Sequence, residues 1–179
     1  MSDGGERGAT GRNLPLQYRH QPPGYRCPFC RVAAGEDLPD NFTKQADIVL
    51  RDSLLMVFVS SAWWPANAGH VLIVPNEHYE NVYEIPDAVL AAVQVMGKRL
   101  ALALKATYGC DGTSFRQHNE PGGDQDVWHY HLHVFPRYLG DELYTRSRER
   151  RATTPAERAP YADKLRRYLA QHSHEKIIG

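Results

Sequence analysis

Trp128-His129-Tyr130-His131-Leu132-His133-Val134-Phe135-Pro136 alternates from side to side, and its period of two reads as a β-strand. His129, His131, His133 and Phe135 face one way, while Tyr130, Leu132 and Val134 face the other. Imidazoles spaced in this way stand about 6–7 Å apart per step. Burying three of them is costly unless each finds a partner. One reading is a partly exposed polar strand face. The other is a metal or phosphate site, because histidine ligates metals, titrates near neutrality and can attack phosphorus. Residues i and i+4 of a strand are too far apart to share one ion easily, so divided roles are expected.

Outward from this strand, Asn119–Asp124 is turn-forming and Thr113–His118 is a candidate strand. Pro86–Thr107 is the longest helical pattern, with Leu90, Val93, Gly97, Leu100 and Leu104 on one face, Pro86 suited to the first turn and Gly109 to the stop. Asp47–Arg51 and Leu54–Ser60 read as a hairpin, and His70–Pro75 as the next strand, closed by its proline. A short helix is expected from about Pro160 to Ala170, with Tyr161, Leu165, Tyr168 and Leu169 on its apolar side. This order predicts an α+β fold, an antiparallel sheet with helices packed on it.

The chain has 179 residues, 42% hydrophobic and 23% charged, with 21 Lys and Arg balancing 21 Asp and Glu. These values suit one soluble domain and exclude collagen-like, coiled-coil and wholly disordered chains. Zero net charge argues against a nucleic acid polymer as partner but not against a nucleotide, whose few phosphates need only a local site. No apolar run is long enough for a membrane span, and MSDGGERGATGRN lacks an apolar leader, so a cytoplasmic location is expected. The expected organisation is a disordered tail over 1–20, a domain over 21–145, and a basic segment with a C-terminal helix, packed on that domain, over 146–179. Three of the nine His, at 20, 172 and 174, lie near the ends and have no specific role to suggest.

Cys27-Pro28-Phe29-Cys30 admits three readings: a redox pair, half a zinc site, or chance. It follows a loop-like stretch, Gln21–Arg26, rather than a strand, which favours zinc provided that two more ligands are found. Cys110 reads as core filler.

Together, three segments resemble the histidine triad (HIT) family: Gln125–Arg137 with its three alternating histidines, Asn67-Ala68-Gly69-His70 running into an apolar strand and followed by His78, and the Cys27–Glu36 segment. The resemblance spans roughly residues 25–140. It implies a five-stranded antiparallel sheet with a long helix, a homodimer, and nucleotide hydrolase or transferase chemistry. It makes His131 the nucleophile, oriented by the backbone carbonyl of His129. His133 and His70 would hold the phosphate oxygens. It implies a structural zinc on Cys27, Cys30, His78 and the His129 ring.

The same resemblance suggests Asn67, Gln125, Asp126, His118 and Asn119 as substrate-binding residues. Phe29, Val57 and Trp63 or Trp64 are candidate walls for the base. Arg137, Arg146 or Arg148 could receive a distal phosphate. Two departures stand out. Val59–Ala62 lacks the acid that often holds the ribose, and Asp126 stands where many members have Ser or Thr. The activity implied is cleavage of a dinucleoside polyphosphate or nucleoside phosphoramidate at the α-phosphorus through a nucleotidyl-histidine. A nucleotidyltransferase or phosphorylase using the same histidine, or a nucleotide-binding interaction protein, are the alternatives.

Overall fold

The computed structural model describes residues 18–37, 39–40 and 42–172; the expectations for residues 1–17 and for His174 lie outside them. Chain order runs α1 (Pro28–Ala33), β1 (Ile48–Arg51), β2 (Leu55–Val59), β3 (Ala62–Trp63), β4 (Val71–Pro75), α2 (Asp87–Tyr108), β5 (Gly112–Gln117), β6 (Leu132–Arg137), β7 (Arg151–Ala152) and α3 (Pro155–Gln171). The fold is α+β. Five strands form an antiparallel sheet in the order β1-β2-β4-β6-β5, and β3 and β7 form a separate two-stranded ribbon. The ribbon was not legible in the sequence, because two residues are too short to carry a period.

Both sheet faces are covered, and alternation sorts them. Leu55, Val57 and Val59 of β2, Val71 and Ile73 of β4, and Leu132 and Val134 of β6 join α2 and α3 in the main core. Met56, Phe58, Leu72 and Val74 point the other way and pack with Phe29 and Val32 of α1. Burying a side chain of this size contributes about 1.5–3 kcal/mol. The β1–β2 hairpin is set by Asp52, whose Oδ1 accepts from the backbone N–H groups of Leu54 (2.8 Å) and Leu55 (2.7 Å). Helix α2 buries Val89, Val93, Met96, Gly97, Leu100, Ala103 and Leu104 and stops at Gly109, where φ is +66°.

At three points the structure departs from the expectations or adds to them. First, the histidine-rich segment is not one strand: the ladder begins at Leu132, and His129 N–H instead bonds the Val127 carbonyl at 2.8 Å in a tight local turn. Second, Cys27-Pro28-Phe29-Cys30 opens a helix. Cys27 is the N-cap of α1, its sulfur accepting from Cys30 N–H, and Pro28 is pre-set for the first turn. Third, the last helix begins at Pro155, not Pro160. Thr154 and Glu157 cap each other's backbone N–H groups reciprocally, and the proline at 160 sits inside the helix. Ala162, Leu165 and Leu169 bring α3 into the main core. Its Arg158, 1% exposed, grips Asp47 through Nε–Oδ1 (2.7 Å) and Nη2–Oδ2 (2.8 Å) and donates to the Thr153 carbonyl.

The end of the chain also meets the strand that opens on His70. Gly69 holds a φ of +76°, and a Cβ built there would lie 2.2 Å from the Tyr161 ring of α3. Tyr161 therefore packs on bare backbone. Gly69→Ala should cost about 2 kcal/mol or more, from left-handed strain and displacement of the ring. A urea midpoint equal to that of the wild type would contradict this packing account.

Candidate active site and metal centre

The turn before β6 fixes the chemistry of His131. Its Nδ1 lies 2.7 Å from the His129 carbonyl, which can only accept, so Nδ1 carries the proton and Nε2 keeps a lone pair. The ring is 3% exposed, with the edge of Phe29 (centroids 5.3 Å) and His133 (4.9 Å) against it. His133 Nδ1 meets His70 Nε2 at 3.3 Å. His70 stacks on Phe135 at 4.3 Å and takes the edge of Trp64 at 5.4 Å. The fold brings together His131, His133 and His70, the set that the family resemblance implied. The His129 ring points elsewhere.

That ring belongs to a second cluster. His129 Nε2 donates to the Pro75 carbonyl at 3.0 Å, which leaves Nδ1 facing Cys27 Sγ (3.3 Å) and Cys30 Sγ (3.6 Å). His78 Nε2 donates to Gln21 Oε1 at 2.7 Å, which leaves its Nδ1 facing Cys30 Sγ at 3.2 Å. The four donor atoms lie within 4.8 Å of one another and form a possible metal site. The hydrogen bond with Cys30 and the two imidazoles hold the Cys27 thiol well below its ordinary value, and Cys30 is raised in return. Two thiolates this close repel, and a bound cation removes the conflict.

A pocket of 120 Å³ opens beside His131, lined by Phe29, Phe58, Ser60, Trp64 and Leu72 among others. Phe58 is a wall where the sequence suggested Val57; alternation along β2 sends Val57 into the main core. Trp64, not Trp63, reaches the pocket, because the Trp63 indole donates to the Ser60 carbonyl from within that core. A larger cleft of 580 Å³ adjoins it and shares Trp64, Asp126, His133 and Arg150.

The remaining candidates divide. Asp126 and His118 line the larger cleft; Asp126 Oδ2 accepts from Arg150 at 3.2 Å, and His118 Nδ1 donates to the Gly123 carbonyl at 2.6 Å. Gln125 also lines it, but its amide is engaged with Glu80, Val127 and the Glu120 N–H. Asn119 is engaged with Val82 and Gln117. Asn67 is fully buried, and its amide donates to the Pro136 carbonyl of β6 and to Asp141, both at 2.8 Å. Arg137 forks onto Asp141 at 2.7 and 2.8 Å and holds its carboxyl well below the usual range. Arg146 pairs with Glu149, whereas Arg148 lines the cleft. His20, which the sequence left idle, bonds Glu120 at 2.9 Å; His172 stacks on Tyr168.

Sequence reasoning missed Arg116 and Arg150. Arg116 is the cross-strand partner of His133, so strand register alone places it on the histidine face. Arg150 belongs to the basic run that begins at Arg146, where nothing in the sequence sets it apart from its neighbours.

The HIT domain matches residues 41–140. An uncharacterized HIT-like protein of Methanocaldococcus jannaschii is 34% identical over 115 residues, 64% of this chain and 81% of its own length. The adenylylsulfatase HINT3 of Arabidopsis thaliana is 24% identical over 154 residues, 85% of this chain and 74% of its own. The crystal structure of a Zn-bound histidine triad family protein from Mycobacterium smegmatis superposes with a TM-score of 0.66 at 27% identity, covering 82% of this chain and 95% of that one.

Burial keeps the histidines neutral. It pushes His70 down to about 3, with Arg116 and Arg150 adding to the effect, and it lowers His133 and His131 as well. In the unfolded chain an imidazole titrates near 6.5. Between that value and about 3, the unfolded chain binds a proton that folded His70 refuses, so stability falls as pH falls through this window. The urea midpoint should drop between pH 7 and pH 4.5, and less steeply in His70→Phe. Equal slopes for the two proteins would refute this assignment.

Proposed function

The chain belongs to the HIT family, and on that premise we propose that it is a nucleotide hydrolase or transferase whose nucleophile is Nε2 of His131. One observation carries this reading: the Nδ1 proton of His131 is committed to the His129 carbonyl, which leaves the Nε2 lone pair on a neutral ring beside a pocket. A neutral imidazole is a competent nucleophile at pH 7, and a covalent step divides one difficult displacement into two easier ones. His131 Nε2 attacks the α-phosphorus, the bond to the leaving group breaks, and a nucleotidyl-histidine forms. Water then displaces the histidine, or another acceptor does so in a transfer. His133 lines both cavities on the phosphate side, and the fully buried His70 holds it from behind through the Nδ1···Nε2 hydrogen bond at 3.3 Å. The nucleoside rests against Phe29, Phe58 and Trp64. Substrates of the dinucleoside polyphosphate or nucleoside phosphoramidate class satisfy this arrangement.

The ion at Cys27, Cys30, His78 and His129 is zinc in this proposal. Its sulfur and nitrogen atoms would sit about 3.5 Å apart in a closed tetrahedron with ordinary bond lengths, and the S···N distances here are 3.2, 3.3 and 3.6 Å. Both imidazoles already donate their far N–H to an oxygen, the usual arrangement around a metal-bound histidine. The role is structural: the ion anchors α1 and orients His129. A homodimer joined along β5 is part of the same proposal, supported by that strand's place at the sheet edge and by half-exposed Phe115.

His131→Ala should lower nucleotide cleavage by roughly 1000-fold or more. Mass spectrometry of the wild type quenched during turnover should find one nucleotidyl group on His131. Cleavage that survives the substitution would sink the covalent mechanism. Elemental analysis should find one zinc per chain, and chelation should lower the melting temperature by several degrees, reversed by zinc addition; Cys30→Ser should do the same without a chelator. A metal-free protein of unchanged stability would exclude the structural role.

A further inference from the structure

The 580 Å³ cleft lies past His133, and its chemistry is unlike that of the aromatic pocket beside His131. Three guanidinium groups line it: Arg116 from β5, and Arg148 and Arg150 from the segment between β6 and β7. Against them stand two carboxylates, Asp124 and Asp126. Asp126 is already paired with Arg150 at 3.2 Å. Arg148 has no ion-pair partner among the described residues.

Arg116 stands against three aromatic rings. Its guanidinium carbon lies 5.9 Å from the Trp64 ring centre, 5.9 Å from that of Phe135 and 5.7 Å from that of Tyr144. Its Nη1 and the indole Nε1 of Trp64, a residue 7% exposed, are buried donors with no hydrogen-bond partner among the described residues. Unmatched buried donors cost free energy until an acceptor arrives. Two unmatched buried donors, three guanidinium groups against two carboxylates of which one is already paired, and direct continuity with the nucleophile's pocket specify a multiply charged oxyanion.

We propose that Arg116, Arg148 and Arg150, with the Trp64 indole, form a subsite for phosphate groups other than the one attacked. The proposal rests on the reading of His131 as nucleophile. The occupant is either the distal phosphates of the leaving group or a free phosphate acting as acceptor. In the first case, His131 Nε2 bonds the α-phosphorus, the bridging P–O bond breaks, and its electron pair leaves on the distal phosphate, where the guanidinium groups meet the new charge. In the second case, a phosphate oxygen held there attacks the nucleotidyl-histidine, and the P–N bond breaks with its pair returning to His131. A phosphoramidate whose leaving group is an amine gains nothing from three guanidinium groups.

The test compares kcat/KM for a dinucleoside tetraphosphate and for the matching nucleoside phosphoramidate, in adenosine and guanosine forms. The proteins are the wild type, Arg148→Gln/Arg150→Gln, and Arg148→Lys/Arg150→Lys. The ratio of the two kcat/KM values should fall at least tenfold in the glutamine variant and be largely kept in the lysine variant, because charge is what the subsite supplies. An unchanged ratio, or the same fall in both variants, overturns the proposal. Added inorganic phosphate separates the two occupants: cleavage at the α-phosphorus of the tetraphosphate releases nucleoside triphosphate in either case, and a nucleoside diphosphate beside it assigns the subsite to the acceptor, whereas nucleoside monophosphate beside it, with no diphosphate, assigns it to the leaving group. If the wild type cleaves neither substrate, the reading of His131 has failed. The subsite is then judged by equilibrium dialysis with inorganic tripolyphosphate. Binding weakened at least fivefold in the glutamine variant supports it, and absence of binding overturns it.

Discussion

His129 is asked to do two things at once, and much of the structure follows from that demand. Its carbonyl must reach the ring of His131, and its own ring must reach two cysteines on a different segment. A regular strand cannot do both, because its carbonyls are spent on the neighbouring strand. The chain meets the demand by staying out of the ladder until Leu132 and turning tightly at Val127–His129. The Pro75 carbonyl then fixes the His129 ring from behind. The tautomer of His131 and the geometry of the cysteine cluster are thus set by one residue.

Keeping three imidazoles neutral is the second constraint. Apolar and aromatic neighbours achieve it by burial: Phe29 against His131, Phe135 beneath His70, and Trp64 at the edge of His70. The nearby guanidinium groups push in the same direction, since positive charge disfavours a second positive charge. Arginine at 116 thus serves the histidines even without a ligand.

Legibility in the sequence followed the range of the signal. The sheet, α2 and the face assignments of Tyr130, Leu132 and Val134 were readable because periodicity is local. The cluster of cysteines and histidines was reached only through resemblance to a family, since Cys27, His78 and His129 are far apart in the chain. The surroundings of Asn67 were not readable because a buried amide and a ligand-binding amide look alike in sequence; its partners Asp141 and Pro136 are about 70 residues away. The start of α3 was missed although Thr154-Pro155-Ala156-Glu157 states a helix N-terminus in full, because a second proline at 160 competed for the same role. The walls of the pocket turned on single positions, Phe58 in place of Val57 and Trp64 of the two candidate tryptophans, which alternation resolves only once the core side of each element is known.

The matched domain ends at residue 140, yet Ala162, Leu165 and Leu169 fill the main core, and Arg158 neutralises an Asp47 that is 1% exposed. An aspartate buried without its arginine is a charge with nowhere to go. The stretch matched by the domain and the unit that packs are therefore different: a chain cut after β6 would keep His70, His131 and His133 on a sheet whose main core lies open where α3 packs.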